Sequence, residues 1–132
     1  PHPLASGGVT FFGSEALAAA HPGTFPARLH QAPMLLPMEG NALRLEMERW
    51  LDGVGVTPRI VGEFEDSALL KAFGQAGVGF FCVPSVIEGE IVRQHQVVPI
   101  GRTDAVQAAY VAITTERRIK HPAAQAIKEK FR

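Results

Sequence analysis

An α/β fold built on a mainly parallel sheet, with helices on both faces, is predicted by three features of the sequence. The first is the run GEFEDSALLKAFGQAGVGFFCVPS from Gly62 to Ser85. It reads as the end of a strand, a helix opened by Asp66 or Ser67, a stop over Gly74 to Gly79, and a second strand from Phe80 to Val83 closed by Pro84. The second feature is that this last strand has no polar alternation. Such a strand is covered on both faces, as parallel strands inside an α/β layer are. The third is the alternation of strand and helix signals along the rest of the chain.

Each element follows from local pattern. Val9 to Phe12 reads as a strand, and Ser14 is placed to cap a short helix, Glu15 to Ala20, that His21-Pro22-Gly23 ends. Phe25 to His30 reads as a short helical turn, and Met34 to Pro37 as a second strand. The next helix runs from about Ala42 to Asp52, with Leu43, Met47, Trp50 and Leu51 on one apolar stripe and Arg44, Glu46, Glu48 and Arg49 on the polar face. Gly53 and Gly55 stop it. Ile60 to Phe64 is a third strand after Pro58. The helix that follows carries Leu69, Leu70, Ala72, Phe73 and Ala76, so it is apolar over most of its circumference and is expected to be buried on more than one side. Val86 to Gln94 reads as a weak helix interrupted by Gly89. Val97 to Ile100 and Tyr110 to Thr114 read as two strands separated by Gly101-Arg102-Thr103-Asp104. A last helix begins at His121-Pro122, with Ala123, Ala126, Ile127 and Phe131 as its stripe.

A chain of 132 residues supports one core and is too short for two domains. Apolar residues make up 46% and charged residues 20%, and 13 basic residues balance 13 acidic ones. No basic face for nucleic acid is present, and the basic tail from Arg117 to Arg132 reads as a solvated helix end. The single cysteine, Cys82, excludes an internal disulfide and fits a reducing compartment; within an apolar strand it reads as a core thiol. The sequence contains neither an apolar run long enough for a bilayer nor a signal-peptide pattern. Pro1 in place of a methionine suggests a cut inside a longer protein.

Ligands of an open α/β sheet bind outside the carboxyl ends of its strands. Those ends are Gly13-Ser14, Pro37 to Asn41, Phe64 to Ser67 and Pro84-Ser85. The loop Pro37-Met38-Glu39-Gly40-Asn41 enters a helix N-terminus, where free N–H groups favour an acceptor. It lacks the glycines and lysine of a phosphate loop, so it reads either as a ligand loop or as an ordinary capped helix start. Glu63, Glu65 and Asp66 form an acidic cluster suited to a hard cation, or equally a helix cap beside an outward strand residue. The 5 histidines are scattered without metal-ligand spacing, so no metal site is expected. Neither Ser14 nor Ser85 lies in a nucleophile elbow or has an assignable base, and no catalytic residue or cofactor is expected.

The segments PMEGNALRLEMERWLDGVGVTPRIVGEF, EDSALLKAFGQAGVGFFCVPS and ERRIKHPAAQAI, in that order, resemble the C-terminal part of the effector-binding (substrate-binding) domain of LysR-type transcriptional regulators. A helix ending in Trp50-Leu51, the turn glycines Gly53 and Gly55, then Pro58 and Ile60 meet the family pattern. So do Ala76, Gly77, Gly79 and Pro84. The stretch GEFEDSALLKAFG is most similar to the branch that activates sodium/proton antiporter expression. The resemblance implies a periplasmic-binding-protein-like (type 2) lobe with a Rossmann-like sheet. Residues from about 9 to 114 would form the second lobe, with Val9 to Phe12 and Tyr110 to Thr114 as crossovers. A returning helix at about 121 to 132 would dock on a first lobe that, like the winged helix-turn-helix, is absent from this chain.

The resemblance further implies a cytoplasmic homo-oligomer, dimer or tetramer, that meets DNA only through the missing domain, offers RNA polymerase a partner and does not engage membrane. A small-molecule or ion effector would sit between the lobes, with sodium ion or alkaline pH as the signal. Its contacts in this lobe would be Pro37, Met38, Glu39, Gly40, Asn41, Phe64, Glu65 and Ser85. Leu69, Leu70 and Phe73 would form the dimer interface. Two rival readings are a periplasmic solute-binding module of the same fold and an α/β enzyme half whose catalytic residues lie elsewhere.

Overall fold

The computed structural model of the chain describes residues 4–111, and the side chains of residues 7–108. The elements are β1 (Leu4–Gly13), α1 (Glu15–Ala20), a 3-10 turn (Ala27–Leu29), β2 (Pro33–Pro37), α2 (Ala42–Val54), β3 (Arg59–Phe64), α3 (Ser67–Gln75), β4 (Phe81–Pro84), a 3-10 turn (Ser85–Ile87), α4 (Glu88–Gln94) and β5 (Val98–Val111). The chain divides into two units, Gly7–Ala108 and the two ends, Pro1–Ser6 with Ala109–Arg132. The first of these holds the described core.

Two hydrogen-bonded sheets, β4-β1-β5 and β2-β3, meet at Phe80. Its carbonyl accepts from the Leu35 N–H at 2.8 Å and its N–H donates to the Pro33 carbonyl at 2.9 Å, in parallel sense. The working order is therefore β3-β2-β4-β1-β5. β2 and β3 are parallel, as are β2 and the strand that Phe80 begins. β1 runs antiparallel to β4, with Phe11 opposite Cys82. A strand in that sense turns its own carboxyl end away from the edge where β2, β3 and β4 finish.

Alternation along the central strands builds one core on each face of the sheet. Val9 and Phe11 of β1, Met34 and Leu36 of β2, and Phe80 and Cys82 point to the first, where Met47 and Leu51 of α2 and Leu29 cover them. Phe12, Leu35, Phe81 and Val83 point to the second, under Leu70 of α3 and Ile91 of α4. The Cys82 thiol lies 3.5 Å from the Met47 sulfur, and burial pushes its pKa up to about 12. It is an inert packing group. Trp50 closes an aromatic triangle with Phe11 and Phe25, its ring centroid 5.4 and 5.8 Å from theirs.

Ser14 caps α1, accepting the Leu17 N–H, and Asp66 caps α3, accepting the Ala68 N–H. Gly53 lies inside α2; the stop is Gly55, which takes the left-handed conformation at φ 71°. The predicted turn at Gly101–Asp104 does not exist, because β5 runs unbroken through it. Gly101 answers to packing instead: a Cβ there would overlap the Phe25 ring. α3 is not buried on more than one side of this unit. Leu70 and Gly74 face the sheet, while Leu69 and Phe73 remain 49% and 42% exposed. Residues 112–114 and the predicted helix after His121-Pro122 lie outside the described residues.

Replacing Gly101 with Ala is expected to cost about 1–3 kcal/mol, the usual range for overpacking. The check is a lower urea midpoint at unchanged slope; an unchanged midpoint would mean that Phe25 is free to move aside.

Candidate functional site

β2, β3 and β4 share one direction, so Pro37–Asn41, Phe64–Asp66 and Pro84-Ser85 emerge along one sheet edge. The Met38 N–H donates to the Phe64 carbonyl at 3.0 Å, which ties the first two loops together. Gly40 turns the first loop at φ 91°, and the Asn41 N–H closes it on the Met38 carbonyl at 3.2 Å. Asn41 then caps α2: its Oδ1 accepts from Leu43 N at 2.8 Å and Arg44 N at 3.2 Å. Its carboxamide oxygen is thereby committed to the helix. Met38, by contrast, is 40% exposed above the loop.

Arg44 is the residue that holds this corner, and it is not on the polar face where helical spacing put it. Its relative exposure is 6%. Nη1 donates to the Pro37 carbonyl at 2.9 Å and to Glu63 at 2.8 Å, and Nε donates to Glu48 at 3.0 Å. Glu39 lies within 3.7 Å of Nη2. Burial opposes the charge, but the hydrogen bonds to Glu63 and Glu48 outweigh it and raise the pKa of Arg44. The guanidinium fork thus fixes the Pro37–Asn41 loop, β3 and α2 to one another.

This pairing also decides the acidic cluster. Glu63 is held by Arg44 and Asp66 by the α3 N-terminus, which leaves Glu65 as the carboxylate of the three without a partner among the described residues. Among the described residues no group of three or more His, Cys, Asp or Glu side chains could hold a metal ion.

Ser85 belongs to a second polar cluster. Thr10, fully buried in β1, has its hydroxyl 2.8 Å from Ser85 Oγ and donates to Glu88 Oε1 at 2.7 Å. Arg102 of β5 grips the same carboxylate with both Nε, at 2.7 Å, and Nη2. The Arg102 hydrogen bond holds the Glu88 carboxyl below its ordinary range; burial works the other way, and the Thr10 hydrogen bond adds to the lowering. The network ties Ser85 and α4 to the β1–β5 side of the sheet. Thr10, Glu88, Arg102 and Arg44 were not among the residues expected from sequence. The one available signal was a threonine inside the otherwise apolar strand VTFF, since a buried hydroxyl requires a partner.

Of the three residues expected at a subunit interface, Leu70 packs against its own sheet, 7% exposed. Leu69 and Phe73 face outward, and the Phe73 ring leans on Phe64, 5.2 Å between centroids. A shallow groove of about 480 Å³ lies on the α2 side of β3, lined by Arg44, Glu48, Asp52, Pro58 and Ile60 among others. It includes none of the loop residues named above.

The family signature of the LysR substrate binding domain matches residues 2–132. The chain belongs to that family. The transcriptional activator protein NhaR of Escherichia coli K12 is 38% identical over 103 residues, covering 78% of this chain and 34% of that protein; NhaR of Shigella flexneri matches equally. The chain thus spans about a third of the length of these curated relatives. Among solved structures, the effector-binding domain of QuiR in complex with shikimate matches with a TM-score of 0.64 at 13% identity, over 98% of this chain and 62% of that one. The regulatory domain of CcmR from Synechocystis PCC6803, in complex with 2-PG, matches with a TM-score of 0.61 at 12% identity, over 98% and 66%. These structural likenesses show the periplasmic-binding-protein-like fold of LysR effector domains. The NhaR relatives are transcriptional regulators, and a periplasmic solute-binding module is not favoured. Among the described residues no helix is long and apolar enough to cross a membrane.

Two outcomes are expected from the polar clusters. Arg44→Ala should cost about 1–3 kcal/mol, as loss of charge-assisted hydrogen bonds does, and should speed hydrogen exchange at the Met38 amide. Unchanged exchange there would show that the loop does not depend on Arg44. The folded pKa of Glu88 is lowered, so its stabilisation is full above the ordinary glutamate pKa and is lost as pH falls through the lowered folded value. Glu88→Gln should therefore melt lower than the parent at neutral pH and converge with it in acid. A constant gap at every pH would exclude the ion pair as its cause.

Proposed function

We propose that this chain is the second lobe of the effector-sensing domain of a longer, cytoplasmic LysR-type transcriptional activator. The observation that carries the reading is the convergence of Pro37–Asn41, Phe64–Glu65 and Ser85 on one sheet edge in a member of the substrate-binding-domain family. In such a two-lobed domain that edge faces the first lobe, and an effector held between them shifts the balance of lobe positions. The shift would reach DNA through the N-terminal domain, and RNA polymerase through the assembled activator.

The 38% identity to the NhaR proteins supports sodium ion or alkaline pH as the signal. Exposed Glu65 is the carboxylate on this edge that no helix cap or ion pair claims among the described residues. Oligomerisation is supported by α3, whose Leu69 and Phe73 present exposed apolar surface. A helix shared between the effector edge, through Phe64 against Phe73, and a subunit contact gives the signal a short path between protomers.

Small ions and metabolites titrated into the two-lobed protein should raise its melting temperature and change the DNA footprint for the true effector. No response to any of them would remove the sensing role. Glu65→Gln should weaken a sodium response, and an unchanged response would take Glu65 out of the site. Leu69→Ser combined with Phe73→Ser should lower the mass seen by sedimentation without lowering helix content; an unchanged mass would place the subunit contact elsewhere.

A further inference from the structure

The cluster around Thr10 has a direction. Arg102 presents two N–H donors to the Glu88 carboxylate, which holds that group ionised and leaves it only able to accept. Thr10 has one hydroxyl hydrogen and spends it on Glu88 Oε1. At 2.8 Å from Ser85, the Thr10 oxygen can then only accept, so the hydrogen between them belongs to Ser85. Because Thr10 is fully buried in β1, no solvent competes for this order. Ser85 is left with its lone pairs pointing away from Thr10, and among the described residues no donor bonds to them.

We infer that the chain Arg102–Glu88–Thr10–Ser85 is a proton-ordering relay that presents Ser85 Oγ to the effector edge as an acceptor alone. The group seated against Ser85 is therefore electropositive: an N–H or O–H donor of the effector, or a bare cation. A carboxylate or phosphate oxygen is turned away, because Ser85 has no hydrogen to offer it. Thr10, Glu88 and Arg102 are specificity-determining residues that act through Ser85 without touching the ligand. This assignment rests on the reading of the sheet edge as the effector face, whereas the order of the protons stands independently of it.

Neutron diffraction from the deuterium-exchanged chain reads the order directly. A deuteron on Ser85 Oγ directed at Thr10, and one on Thr10 Oγ1 directed at Glu88, is expected; a Thr10 deuteron directed at Ser85 overturns the relay. The ligand class is read from NMR shifts at Ser85 during titrations at constant ionic strength with ammonium, sodium and tetramethylammonium chlorides, and with acetate exchanged for chloride. Saturable shifts with ammonium are expected, with none from tetramethylammonium or acetate, and loss in Ser85→Ala. Sodium acting in place of ammonium identifies the cation as the source. In Thr10→Val nothing accepts the Ser85 hydrogen, so Ser85 can donate outward and acetate should gain a saturable response that the unaltered chain lacks; an unchanged preference for ammonium over acetate overturns the relay. A saturable acetate response in the unaltered chain, or no response to either ammonium or sodium, overturns the electropositive assignment. Because the neutron result needs no effector, its failure is distinguishable from failure of the sensing role.

Discussion

Burial of one short strand on both faces is the constraint on which the rest of this fold depends. Phe80, Phe81, Cys82 and Val83 alternate between the two cores, so helices must cover the sheet on each side. The backbone of the same strand joins the two hydrogen-bonded sheets, since Phe80 alone bonds to β2 from that side while Phe81 to Pro84 pair with β1. Phe11, Phe12, Phe80 and Phe81 are all fully buried, and each contributes about 1.5–3 kcal/mol of apolar transfer. Losing the alternation at this strand would strip both helical layers at once.

Two polar residues within the described interior mark where stability is given up for position. Among the described residues Arg44 and Thr10 are the buried polar side chains, and each is engaged by hydrogen bonds that end at opposite parts of one sheet edge. Arg44 sets the Pro37–Asn41 loop against β3, and Thr10 sets Ser85 and α4 against β1 and β5. A buried guanidinium and a buried hydroxyl are costly without partners, so both clusters select one arrangement of the loops over the alternatives. The edge is therefore held in one arrangement by the protein's own side chains, with Met38 to Asn41, Glu65 and Asp66 exposed along it.

Much of this was legible in the sequence because local signals agreed with the tertiary result. Ser14, Asp66 and Asn41 cap the helices that begin beside them, and the apolar run at Phe80–Val83 was readable as a strand covered on both faces. The misreadings have physical causes. Gly101 carries the signature of a turn, yet a glycine that makes room for an aromatic ring gives the same letter. Arg44 follows helical periodicity onto the polar side, but its long side chain reaches back over the apolar stripe to Pro37 and Glu63, a path that spacing does not encode. Thr10 and Glu88 are 78 positions apart and Glu88 and Arg102 are 14 apart, so only the sheet brings them together. The apolar circumference of α3 predicts burial on more than one side, but only the Leu70 and Gly74 side is covered, and Leu69 and Phe73 stay exposed among the described residues.

The central claim is that the carboxyl edge of β2, β3 and β4 faces the effector. Hydrogen–deuterium exchange of the intact regulator, with and without an inducing concentration of its effector, tests it most directly. Added protection is predicted at Pro37–Asn41, Phe64–Asp66 and Pro84–Ile87, with α1 and the start of β3 unchanged. Protection confined to α1 or to the groove beside α2, with those three loops unaffected, would contradict it.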